Sequence, residues 1–77
     1  MSDGPIKKFK LGKIVASVWE NKNENGDSRY SVTIVRSYKK GDEWKETSTF
    51  FPEDLPVVAR LSERALSHVM LKQEGFE

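Results

Sequence analysis

Two thirds of the way along the chain, the period at which apolar residues recur changes, and that switch restricts the possible folds more than any other feature. Ile14, Ala16 and Val18 alternate with Lys13, Val15, Ser17 and Trp19. Tyr30, Val32, Ile34, Arg36 and Tyr38 alternate in the same way with Arg29, Ser31, Thr33, Val35 and Ser37. A period of two is that of a strand with one buried face, and the β-branched and aromatic content agrees with it. From Leu55 the apolar positions become Leu55, Val58, Leu61, Ala65, Leu66, Val69 and Met70, with Arg60, Glu63, Arg64 and Ser67 on the opposite side. That spacing belongs to an amphipathic helix. Between the two regimes stands Pro52-Glu53-Asp54-Leu55-Pro56. Proline is tolerated in a first helical turn, Asp54 suits an N-cap, and Glu53 complements the positive end of the helix dipole. A sheet comes first and a helix last.

The turns divide the first part. Residues 9–20 read as one strand. Residues 21–28 contain nothing apolar and include Asn25-Gly26, which tolerates the positive φ of a hairpin loop. Residues 29–38 form a second strand, Lys39-Lys40-Gly41-Asp42 a tighter turn, and residues 43–51 a third strand. The expected fold is α+β: an antiparallel three-stranded meander, four-stranded if residues 6–10 add a short strand. One C-terminal amphipathic helix follows, packed on the Ile14/Ala16/Val18 and Val32/Ile34 face. Residues 1–8 are expected to be a flexible basic arm, residues 9–72 the single domain and residues 73–77 a frayed acidic tail.

A chain of 77 residues buries only about 60% of its unfolded surface, so it usually needs a disulfide, a metal or a partner subunit. It has no cysteine, and its one histidine, His68, cannot build a nitrogen and sulfur cage alone. A homodimer is the remaining remedy. Leu66 and Met70, the shoulder of the helical arc that a small sheet leaves bare, are its expected contacts. No apolar run approaches the roughly 20 residues of a membrane span, and the first residues lack the hydrophobic stretch of a secretory signal. The expectation is a cytoplasmic protein without membrane contact.

The formal net charge of +1 is unevenly spread. Lys7, Lys8, Lys10 and Lys13 against Asp3 leave residues 1–13 with three excess positive charges, while residues 53–77 carry two excess negative ones. The basic arm reads either as a phosphate-contacting segment or as a solvated tail. Nothing points to catalysis: a Cys/His pair is impossible, the glycines are scattered, and a lone helical His68 reads as a boundary residue. No cofactor, metal or small-molecule substrate is expected. The strand face turned away from the helix offers cations, hydroxyls and indoles, which suits single-stranded nucleic acid, or equally a solvated surface. In the nucleic-acid reading Trp19 and Trp44 stack on bases. Lys13, Arg29, Arg36, Lys39, Lys40 and Lys45 hold phosphates, and Lys7, Lys8 and Lys10 assist. Whether Trp44 or Lys45 joins this face depends on register. The alternative is a protein-interaction adaptor with no nucleic-acid affinity, using the same aromatics or a free strand edge.

Two resemblances bear on these readings. The meander followed by one amphipathic helix, over most of residues 9–72, resembles in arrangement the single-stranded DNA-binding domain of positive cofactor 4; Pur-alpha repeats and whirly proteins share the style. That resemblance implies strands as the nucleic-acid surface and helices that pair subunits. Val18-Trp19-Glu20-Asn21, Tyr30-Ser31-Val32-Thr33, Arg36-Ser37-Tyr38-Lys39, Gly41-Asp42-Glu43-Trp44-Lys45, and Phe51 with Asp54-Leu55-Pro56 look like a group of short bacterial proteins. This similarity spans residues 11–70. It implies a bacterial or mobile-element setting and carries no activity.

Overall fold

Phe9 and Leu11 sit at odd positions and Ile14, Ala16 and Val18 at even ones, so an unbroken strand would put these two groups on opposite faces. The computed structural model, which describes residues 4–72, resolves that conflict with a turn. Gly12 adopts φ +64°, a left-handed conformation that costs a residue with a Cβ about 1–2 kcal/mol. The chain reverses there, and Leu11 pairs with Ile14 and Phe9 with Ala16. The expected first strand is therefore two strands, β1 (Lys7–Leu11) and β2 (Ile14–Lys22). Lys7 and Lys8 belong to β1, and the Ile6 N–H donates to the Val18 carbonyl at 2.8 Å, so this part of the expected arm is built into the sheet.

After β2, Asn23 organises the hairpin loop: its Oδ1 accepts the N–H groups of Asn25 and Asp27 at 2.9 and 3.0 Å. β3 (Ser28–Lys40) and β4 (Glu43–Thr47) complete a four-stranded antiparallel sheet of order β1-β2-β3-β4. β4 stops earlier than the period-2 pattern predicts. The Thr49 N–H turns back to Thr47 Oγ1 at 3.1 Å, and the backbone then leaves the ladder. Pro52–Asp54 form one 3-10 turn, and α1 (Leu55–Lys72) follows. Asp54 caps backwards rather than forwards: its carboxylate accepts the Phe51 N–H at 2.9 Å. The expected acidic tail, residues 73–77, lies outside the described residues, as do the first three residues of the arm.

α1 packs mainly on β2 and β1 and only lightly on β3. Ile14, Ala16, Val18, Leu61 and Ala65 are the buried apolar core among the described residues. Phe9, Ile34, Phe50, Val57 and Val58 close around it. A helix is about 10 Å across and neighbouring strands lie about 4.8 Å apart, so one helix covers roughly two of four strands. The expected cover over Val32 is therefore incomplete, and Val32 remains 39% exposed. Leu66, on the helix flank beside it, is 57% exposed, whereas Met70 is half-buried.

Candidate nucleic-acid interface

Register decides which side chains share the face without the helix. Lys8, Ser17 and Thr33 align across β1, β2 and β3, as do Lys10, Val15 and Val35. Trp19 stands opposite Ser31, and Asn21 opposite Arg29. At the other end Ser37 faces Glu46 and Lys39 faces Trp44. Lys13, in the hairpin turn, accepts the Ser37 N–H on its carbonyl at 2.8 Å and so borders the same face. Lys8, Lys10, Lys13, Arg29 and Lys39 thus meet a single acid, Glu46, among the described residues of this face. Most other acids lie on loops, at the helix entry or on the opposite side, so a net charge of +1 conceals an open face on which cations outnumber acids.

The two indoles play different parts. Trp19 is half-buried, and its Nε1 donates to Thr33 Oγ1 at 3.0 Å, which ties the indole to β3. Ser17 is only 8% exposed despite having no helix above it. Trp44 is 62% exposed and has its ring free. Their partners on β3, Ser31 and Lys39, are eight positions apart, or about 27 Å at roughly 3.4 Å per residue. One base cannot touch both rings. Val15 and Val35, paired and half-buried, form an apolar floor between them.

Three residues expected to hold phosphates lie on the other face. Arg36 is paired with Ile14 and Thr47 on the helix side, where it ties β3 to the helix entry. Its Nη2 donates to the Thr49 carbonyl at 3.1 Å, and its Cζ stacks 4.7 Å from the Phe51 ring centroid. Its Nε lies 3.3 Å from Asp54 Oδ2, close enough for charge pairing though not aligned as a hydrogen bond. Lys45 shares that face opposite Tyr38 and pairs with Glu43 at 3.5 Å. Lys40 follows the same alternation at the sheet tip, opposite Glu43. Of the arm residues, Lys7 turns to the helix side, its Nζ 5.6 Å from the Phe9 ring centroid. Trp19, Trp44, Lys13, Arg29 and Lys39 are brought together, joined by Lys8 and Lys10.

At the far end of the helix side, Glu20 Oε2 accepts from Ser28 Oγ at 2.7 Å and, more weakly, from the Tyr30 hydroxyl at 3.4 Å. Partial burial, then the Glu20 charge and hydrogen bond, raise the Tyr30 phenol above its ordinary 10.0, with Ser28 acting in the opposite sense. His68, half-buried in α1, stands edge-on to Phe9 at 6.0 Å between centroids. No group of three or more His, Asp or Glu among the described residues is placed to hold a metal ion, and none of their helices is long and apolar enough to cross a membrane. No protein-family model, curated protein or solved structure matches the chain.

Proposed function

We propose that the protein binds single-stranded nucleic acid across the open face of its sheet, with little sequence preference. The observation that carries this reading is the gathering of five cations and two indoles on one face, against a single acid, Glu46, among the described residues. Cations hold phosphates whatever the sequence, and stacking is tolerant of base identity because every base has a π-face. Trp44 is the principal stacking platform, since its ring is exposed, while Trp19 is a flatter, secondary one. Fluorescence anisotropy of a labelled oligothymidylate at low salt tests it. Trp44→Ala should weaken binding by about 1–3 kcal/mol, roughly 5- to 150-fold, without unfolding the domain. Absence of binding by the unaltered protein in low salt would refute the reading and favour the protein-interaction adaptor.

A second copy of the chain belongs to the same proposal. The strip of sheet that α1 leaves bare and the flank of α1 itself form an apolar groove lined by Tyr30, Val32, Ile34, Leu66 and Val69. Knob and socket lie on one surface, with Leu66 standing proud beside Val32. Rotation about a two-fold axis places each Leu66 against the groove of the other chain, which supplies the second helix that four strands can accommodate. Leu66 carries this contact and the half-buried Met70 borders it.

A further inference from the structure

The helix face that the sequence assigns to solvent forms a second cationic surface against the edge of the sheet. Arg60, Arg64 and His68 recur one turn apart along α1, and all three line a groove between α1 and β1 with Phe9, Glu63 and Ser67. An adjoining hollow is lined by the same two arginines together with Lys10, Leu11 and Leu61. Like charges one turn apart destabilise a helix, so the Arg60 and Arg64 pair is not explained by helix stability. Neither guanidinium has an ion pair among the described residues, although Glu63 lines the same groove. Lysines on an edge strand discourage sheet-to-sheet association, which accounts for β1 but not for arginines on the helix. His68 Nε2 is buried and has no hydrogen-bond partner.

Lys10 links the two surfaces. By register it belongs to the open face, level with Val15 and Val35, yet on this edge strand it also borders the hollow that holds Arg60 and Arg64. A cationic band therefore runs from Lys39 and Lys13 through Lys10, over the β1 edge, to the two arginines. We infer that the bound strand does not end at the sheet: its phosphodiester backbone passes over β1 and seats phosphates against Arg60 and Arg64. This rests on the open face being the nucleic-acid surface. The guanidinium fork suits phosphate oxygens, and no base is read in the groove, so the contact adds affinity without sequence preference.

Salt dependence isolates this contact, because each phosphate neutralised on a single strand contributes about 0.7 to the slope of log K against log salt. Labelled oligothymidylate is titrated at several salt concentrations with the unaltered protein, Arg60→Gln/Arg64→Gln, Arg60→Lys/Arg64→Lys and Trp44→Ala. Two phosphates in the groove predict that the glutamine pair lowers the slope by about 1.4. The lysine pair should retain the slope, and Trp44→Ala should lose affinity with its slope intact. Circular dichroism checks that each variant keeps its helix. An unchanged slope for the glutamine pair, with Trp44→Ala weakened, overturns the groove and leaves the open face standing. No binding by the unaltered protein overturns both.

Discussion

Replacing Arg36 with methionine keeps most of the aliphatic stem and removes the guanidinium that fastens β3 to the start of α1. The charged hydrogen bond to the Thr49 carbonyl, 3.1 Å long, is worth about 1.5–3 kcal/mol. The stacking on Phe51, a ring 52% exposed, adds about 0.5–1 kcal/mol. The pair with Asp54 is partly shielded, at 16% and 20% side-chain exposure, but off-line, and contributes no more than about 1 kcal/mol. These share one side chain and do not add fully, so the expected loss is about 2–4 kcal/mol, against total stabilities of about 5–15 kcal/mol for ordinary domains. For a domain of this size that corresponds to a fall in Tm of about 8 °C or more. Urea denaturation of Arg36→Met, Asp54→Asn and the double variant measures both the loss and the coupling. A loss below about 0.5 kcal/mol for Arg36→Met would show that the side chain is not a structural anchor. The same variant should bind oligonucleotide with an unchanged salt slope, because the guanidinium is on the wrong face to hold a phosphate.

Tyr30 gives a pH signature. Its folded pKa is raised, so above the ordinary value of 10.0 the unfolded chain loses the phenolic proton first. Its stabilising contribution is complete below that value and is lost as pH rises through the folded one. In a Tyr38→Phe background, which leaves Tyr30 as the one remaining tyrosine, ultraviolet titration should place ionisation above 10.0; ionisation at or below it would contradict the placement beside Glu20. For assembly, Leu66→Glu should convert a dimer into monomers in sedimentation at micromolar concentration. A concentration-independent 8.8 kDa species for the unaltered chain would remove the second copy from the proposal.

Much of this fold was legible because period and burial agree where one face is covered: Ile14, Ala16 and Val18 alternate cleanly and are the residues α1 covers. The Gly12 turn was legible too, in the odd-to-even slip between Leu11 and Ile14, but continuous β propensity across residues 9–20 hides it. The end of β4 was less accessible. Thr and Phe favour strands at residues 48–51, but the Thr49 N–H donates to Thr47 Oγ1, the Thr49 carbonyl accepts from Arg36 and Phe50 packs on the core, all away from the ladder. Alternation assigned Lys13, Arg29 and Trp19 to the open face, and it also puts Arg36 in phase with Ile34, on the helix side. Charge alone groups Arg36, Lys40 and Lys45 with Lys13, Arg29 and Lys39, whereas alternation separates them. Arg60 and Arg64 gave no such warning, since a solvated helical face and one beside a strand edge have the same pattern. Only the lean of α1 toward β1 separates them.

The most direct test of the central proposal is a two-dimensional amide NMR titration of the protein with oligothymidylate. Two indole N–H resonances are present, one for each tryptophan. The Trp44 signal should move far and the Trp19 signal less, because the Trp19 N–H stays bonded to Thr33. Amide shifts should follow Ser17, Thr33, Val35, Ser37 and Lys39 along the open face, while the Arg36 Nε–H signal stays still. A spectrum unmoved by excess oligonucleotide at low salt, or shifts confined to Leu66 and the apolar groove, would contradict the proposal.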